Sequence, residues 1–421
     1  KNHARPLRPC PTMGQCLSPP AGSGRPTTKR DNGWAYVPHS PLSGAEILQR
    51  IQQESSKVTV GGKTITFGSI CFRGYYPDTP YKANQDDYAI ITPEKWGNQD
   101  LGMFAVFDGH GHVGEKCAQF VSSELPTELM DGSKRLVTDE GVRELLGESF
   151  LSVNRKLHLA PDIDDTLSGT TAVAALIIKD VLWVANVGDS RCILVQESGP
   201  SDDLVVKPMS LDQTPYRRDE RARVKKSGAR VLNMDMLEGL EPVHDDWDMT
   251  LGDEVDEGGD PPRIWAPDGA YPGTAFTRSI GDSIAEELGV TGEPEIERHV
   301  LSNEDQLLII ASDGIWEFLT NKEVLDIAKK AEDPQEAACL LWKAAYKEWI
   351  TKEVRTDDIT IIVLDLADYY SGMDPTSDVQ KYDDSTPSEK PKKTRRGSTK
   401  IEALGIARDG ENGDDHGARQ V

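Results

Sequence analysis

The chain has 421 residues with 71 acidic against 47 basic side chains, a formal net charge of −24, which argues against a nucleic-acid partner, because that affinity depends on Lys and Arg displacing counterions. The apolar run at 171 to 178 is broken by Lys179 and Asp180, and no stretch reaches the ~18 residues that a membrane-spanning helix needs. Six cysteines at 10, 16, 71, 117, 192 and 339 form no CxxC pair and no Cys/His cluster at zinc spacing, which points to a reducing compartment and an expected cytoplasmic location.

Residues 1 to about 40 lack periodicity and are rich in Pro, Gly and Arg, so a disordered leader is expected. Within it, MGQCLS from Met13 fits a myristoylation pattern, with Gly14 as acceptor and Cys16 as a second acylation point. Two acyl chains are what stable anchoring requires, so a membrane surface is an expected partner. A first helix is predicted from Ser43 to about Glu54, where Ile47, Leu48 and Ile51 share a face.

From about residue 58 the pattern changes to strands: VTV, TITF, DYAIIT and MFAVF, each bounded by Gly, Pro, Asn or Asp. Helical patterns follow at 114 to 130, 140 to 158 and 323 to 350, and strand-like runs return at 171 to 178, 181 to 186, 191 to 195, 307 to 311 and 359 to 364. Blocks of strands alternating with paired helices predict an α+β fold of antiparallel sheets flanked by helix pairs. The expected phosphate-chemistry domain runs from 41 to 368, with a disordered tail over 369 to 421. A long connection at about 215 to 273, with an acidic centre from Asp235 to Asp260, is read as a functional flap whose charge favours basic partners. In the tail, KKTRRGSTK places Ser398 two residues after Arg396, a pattern that suits a kinase recognising basic residues. No sustained heptad appears, and a monomer is expected.

Chemistry concentrates at strand ends. MFAVF runs into Asp108, LWVANVG into Asp189 and LLIIAS into Asp313, while Asp357 and Asp358 precede ITIIVL and Asp86 and Asp87 precede YAIIT. Sheet ends on one side would gather these carboxylates into one cleft, where bound cations relieve their repulsion. Oxygen ligands without Cys or His suit Mg²⁺ or Mn²⁺. Two such ions about 3.5 to 4 Å apart can generate hydroxide and clamp a phosphoryl oxygen, the chemistry of monoester hydrolysis. In DGHGHVG, Gly109 and Gly111 allow a sharp turn and a carbonyl close to a cation, and His110 could protonate a leaving alkoxide; His112 has no comparable claim.

KANQDDYAI, FAVFDGHGH, SGTTAV, ANVGDSR, LDQTP, AFTRSIGD, ASDGIWEF and TDDITIIV occur between about 65 and 366 in an order that resembles the protein phosphatase 2C family. The resemblance implies a central β-sandwich flanked by helices, a cleft holding Mg²⁺ or Mn²⁺, and hydrolysis of phosphoserine and phosphothreonine in phosphorylated protein substrates by attack of activated water. Carried over, it implies that Asp108 bridges two metals, that Asp313 and Asp357 hold one, and that the Gly109 carbonyl with Asp86 serves the other. Asp87 stays open as the alternative to Asp86, and Asp358 stands behind the ligands. Asp189 matches a third, weaker site with Glu317 as a helper, and His110 matches the general acid.

Many relatives hold the substrate phosphate with an arginine where this chain has Tyr81, so Lys82 and Arg73 are the two candidates for that charge. Arg278 is read as structural. The segments RGYYPDTPYKANQD and GDPPRIWAPDGAYPGTAFTRSIGDSIAEELGV look similar to a plant and green-algal type fused to cyclic-nucleotide-binding and kinase domains, which makes a cyclic-nucleotide-dependent kinase an expected partner. An inactive phosphatase fold serving as a binding module is the alternative. A metal-dependent nuclease also uses paired carboxylates, but the acidic charge and the lack of a basic groove speak against it.

Overall fold

The computed structural model describes residues 55–198, 203–245, 247 and 260–369. The expected leader with Gly14 and Cys16, the helix from Ser43, the tail with Ser398 and half of the acidic centre of the flap lie outside the described residues.

Two large sheets face each other. One has the order β1 (Ser56–Val60), β2 (Lys63–Phe72), β16 (Ile359–Asp365), β15 (Asp305–Ala311), β8 (Arg191–Ser198) and β9 (Asp203–Pro208). The other runs β13 (Ile280–Gly281), β5 (Gly169–Thr170), β4 (Leu101–His110), β6 (Ala172–Ile178), β7 (Val181–Val187) and β14 (Glu295–Val300), with β3 (Asp86–Ile91) also paired to β4. A one-turn helix, α1 (Pro93–Trp96), lies between β3 and β4. The named strands pair antiparallel throughout, including β4 with β6 and β15 with β16.

Period-two alternation with apolar residues on both faces explains the layers. In β6, Ala172, Ala174 and Leu176 face one core while Val173, Ala175 and Ile177 face another. The first core is covered by α2 (Gly114–Asp131) and α3 (Asp139–His158). The second lies between the sheets, where Phe104, Val106, Leu308, Ile310 and Ile362 meet. On the outer face of the other sheet, Ile309, Ile361 and Val363 pack under α7 (Asp313–Trp316), α8 (Asn321–Ala328) and α9 (Pro334–Lys352), with Trp342 and Trp349 at the centre.

The sequence pattern at 323 to 350 predicts one helix, and the structure has two. Pro334 lacks the N–H that a continuing helix needs, and Asp333 caps a new one by accepting from the amides of Gln335 and Glu336. Thr320 and Glu323 close a capping box at the start of α8.

Between β9 and β13 the chain builds a separate layer: α4 (Arg218–Lys226), β10 (Arg230–Leu232), α5 (Met234–Glu238), β11 (Arg263–Trp265) and β12 (Pro272–Thr274). Its three strands form their own antiparallel sheet. Val224, Val231, Ile264 and Ala266 make one small core with Ala285 of α6 (Ser283–Glu287), while Leu232, Met236, Trp247 and Trp265 make another. What the sequence pattern gives as a connection is therefore, in its described part, a folded flap.

Candidate active site

Strand direction gathers the aspartates. The C-terminal ends of β4, β7 and β15 and the N-terminal ends of β3 and β16 lie at one end of their sheets because neighbours run antiparallel, and Asp86 pairs directly with Asp108 across β3 and β4. Asp108, Asp189, Asp313 and Asp357 are half-buried; Asp86 and Asp358 are buried beside them.

The short segments around these residues hold them in place. Thr171 grips Asp108 twice: its Oγ1 accepts from the Asp108 amide at 3.1 Å and its own amide donates to the Asp108 carbonyl at 2.8 Å. Ser312 donates to Asp86 Oδ2 at 2.8 Å while accepting from the Thr360 amide at 3.0 Å, which ties β15, β16 and β3 together. Gln213 accepts from the Gly188 amide at 2.7 Å and donates to the Asn186 carbonyl at 3.0 Å, fixing the turn before Asp189. Beyond that turn, Arg191 makes a fork onto Asp212 at 2.6 and 2.8 Å. Gly109 leaves no room for a side chain, because a Cβ would stand 2.2 Å from the Gly114 carbonyl oxygen and 2.5 Å from that of Gln85.

The gathered carboxylates repel one another in a medium that does not favour charge. Burial first, then the charge of Asp358, pushes the Asp86 carboxyl up, and burial with Asp313 does the same for Asp108. Asp313 is raised by burial and by Asp357, and Asp189 by burial and by Asp212. Asp86 Oδ1 is buried without a hydrogen-bond partner among the described residues. Acceptor oxygens in excess of donors, on hard carboxylates with no Cys or His ligand among them, fit divalent cations of the Mg²⁺ or Mn²⁺ class.

The choice between Asp86 and Asp87 follows from strand alternation. Asp87 points to the other face of β3, where Ser122 of α2 donates to its Oδ2, whereas Asp86 lies beside Asp108. Arg73 turns two of its donors to the backbone: its Nε donates to the Lys82 carbonyl and its Nη2 to the Pro80 carbonyl at 2.9 Å, so it braces the loop that presents Lys82. Lys82 lies at the cluster. Its Nζ donates to the Tyr76 hydroxyl at 2.8 Å and stands 3.8 Å from Asp357 Oδ1 and 3.9 Å from Asp358 Oδ2.

His110 Nε2 is 2.6 Å from Asp282 Oδ2, and its ring packs against Phe276 with centroids 4.3 Å apart. Burial opposes protonation of the imidazole, but the Asp282 carboxylate outweighs it and raises the pKa. His112 is exposed. Sequence reasoning assigned no role to Asp282, although it ends the AFTRSIGD segment, nor to Tyr76, whose hydroxyl donates to Asp357. Asp358 accepts from the amides of Gly74 at 2.7 Å and Gln85 at 2.8 Å and so clamps the loop beside the cluster.

A second acidic group, Asp219, Glu220 and Glu295, brings three carboxylates within 4.8 Å. Its charge is answered by arginines. Arg278 pairs with Glu220 at 2.8 Å and Glu295 at 3.3 Å, Arg217 pairs with Glu295 at 2.7 Å and Arg223 with Glu220, so this group joins the flap to the sandwich.

Comparison with known proteins gives the family. The family model for protein phosphatase 2C matches residues 84–354. A probable protein phosphatase 2C 35 of Arabidopsis thaliana is 45% identical over 294 residues, covering 70% of this chain and 82% of the relative. A probable protein phosphatase 2C 64 of Oryza sativa subsp. japonica is 32% identical over 287 residues, 67% of this chain and 62% of the relative. Among solved structures, a serine-threonine phosphatase 2C from Toxoplasma gondii matches the fold with a TM-score of 0.57 at 17% identity, over 74% of this chain and 99% of that one. With the family model, the plant relatives and the fold in agreement, the chain belongs to the protein phosphatase 2C family.

Proposed function

We propose that the chain is a protein serine/threonine phosphatase that hydrolyses phosphoserine and phosphothreonine at the carboxylate cluster, with the roles of individual residues read from their contacts. The observation that carries this reading is the convergence of Asp86, Asp108, Asp313 and Asp357 from four strand ends beside a histidine whose protonated form is favoured. Divalent cations of the Mg²⁺ or Mn²⁺ class, when bound, supply Lewis acidity toward the phosphoryl oxygens and an acidified water. Asp108, Asp313 and Asp357 would hold them, with the Gly109 carbonyl and Asp86 Oδ1 on the other side and Asp189 at a third position.

Lys82 offers a point charge to the substrate phosphate, held in place by Tyr76 below and by the loop that Arg73 braces. His110, whose pairing with Asp282 favours the protonated form, carries the proton that a leaving serine or threonine alkoxide needs. The finer readings are part of the same proposal. The basic KKTRRGSTK context supports a kinase partner at Ser398, the scattered cysteines a cytoplasmic location, the lack of a sustained heptad a monomer, and the MGQCLS pattern a membrane surface reached through Gly14 and Cys16.

The test is hydrolysis of a phosphothreonine peptide with Mn²⁺, with Mg²⁺ and with chelator, for the wild type and Asp313→Ala in parallel. Metal-dependent turnover that the substitution abolishes is expected. Folded wild-type protein with no turnover under any condition would leave a binding module as the function.

A further inference from the structure

A cavity of about 290 Å³ opens on the His110 side of the cluster. Its lining combines Asp108, Asp189, Asp282 and Asp313 with Leu167 and with Pro272, Ala275, Phe276 and Arg263 of the flap. Lys82 and Asp357 are not among its lining residues. Lys82 and Arg263 thus have different neighbours: Lys82 stands near Asp357 and Asp358, while Arg263 lines the cavity together with His110.

That separation assigns them different parts of a substrate. A phosphoryl group held by Lys82 puts its leaving oxygen towards His110, so what continues into the cavity is the peptide around the phosphorylated residue. Arg263 belongs to β11 and is about one third exposed. Its Nη1 donates to the Gly273 carbonyl at 3.2 Å and its Nη2 meets Asp260 at 3.3 Å, both long contacts for a group with five donors. Among the described residues no other carboxylate lies within ion-pair distance of it, although four line the same cavity. A guanidinium with only long contacts on the lining of this cavity has donors left to offer an anion.

We propose that Arg263 selects substrates with an acidic side chain, aspartate, glutamate or a second phosphorylated residue, next to the phosphoserine or phosphothreonine, and that the apolar wall of Leu167, Pro272 and Phe276 packs the peptide beside it. This rests on the phosphatase reading. It runs against the preference that the flap's overall acidity suggests: the acidic run at 248–259 lies outside the described residues, whereas the charge the flap brings to the cavity wall is positive.

The experiment measures kcat/KM with Mn²⁺ for three phosphothreonine peptides that differ only in Asp, Ala or Lys at the two positions flanking the phosphothreonine. The proteins compared are the wild type, Arg263→Lys, Arg263→Gln and Arg263→Glu. For the wild type the Asp-flanked peptide is expected to exceed the Lys-flanked one by about fivefold, the scale of a partly exposed ion pair. Arg263→Lys keeps part of that ratio, Arg263→Gln brings it to about one and Arg263→Glu inverts it. A wild-type preference for the Lys-flanked peptide overturns the proposal. So does an equal loss on all three peptides in the variants, which would make Arg263 a second holder of the transferred phosphate or a support of the flap. Binding of the same labelled peptides to the Asp313→Ala chain, and to that chain with Arg263→Gln added, read by fluorescence anisotropy, gives the ranking without turnover. Absence of hydrolysis thus fails the phosphatase reading, and an unranked binding series fails this one.

Discussion

On the proposed reading Lys82 and His110 divide the work on the substrate, and that division predicts different kinetic signatures. Lys82 touches the ground-state phosphate as well as the transition state, so Lys82→Ala should raise KM for a phosphopeptide by about tenfold with a smaller change in kcat. His110 acts where the alkoxide leaves, so His110→Gln should lower kcat for a phosphothreonine peptide by about 10² to 10⁴, the range for general acid catalysis. The loss should shrink for para-nitrophenyl phosphate, whose leaving group needs no proton. Equal losses on both substrates would show that His110 holds the site together rather than donating a proton. At this scale the aspartates at strand ends were readable because each sits beside an apolar run. The placing of Asp87 and Arg73 was not readable in this way: the pairing of β3 fixes which of two adjacent carboxylates faces the cluster, and the Arg73 guanidinium donates to carbonyls that no residue pattern announces. Asp282 went unassigned because its partner, His110, is 172 positions away.

Among the elements, α4 shows how the flap is tied to the sandwich. Burial of Glu220 opposes its ionisation, but hydrogen bonds from Arg278, Arg223 and Thr277 prevail and hold the carboxyl at about 2, below its ordinary 4.5. A carboxyl with a depressed folded-state pKa stabilises the fold above its unfolded pKa and loses that contribution as pH falls through the folded value. Glu220→Gln should therefore cost about 3 kcal/mol at pH 7, read by denaturant unfolding, with the difference from wild type fading between about pH 4.5 and pH 2. A difference that persists unchanged to pH 2 would place the effect in packing instead. Element type and extent were legible over most strands and over α2 and α3, where the apolar period is unambiguous. The break between α8 and α9 was marked by Asp333-Pro334, but an apolar period that resumes after a short gap hides a change of axis. The flap's strands, three residues each, are too short to show a period at all.

For the molecule as a whole, the proposed cation-holding role of the carboxylate cluster predicts that stability depends on cations. Mn²⁺ at a hundredfold excess over its Kd should stabilise the fold by about 2.7 kcal/mol, seen as a rise in Tm over protein in chelator. Asp313→Ala should reduce that rise, and an equal rise in both proteins would put the cations elsewhere. The order of short segments from Lys82 to Val363, the alternation that makes each central strand apolar on both faces, and the placing of an aspartate at each strand end are written along the chain, because they depend on neighbours in sequence. That order was enough for family and fold. Which aspartate faces the cleft, which basic group reaches it, and the meeting of Arg263 with the catalytic cavity were decided by tertiary structure, because strand register and the docking of the flap bring together residues more than 150 positions apart.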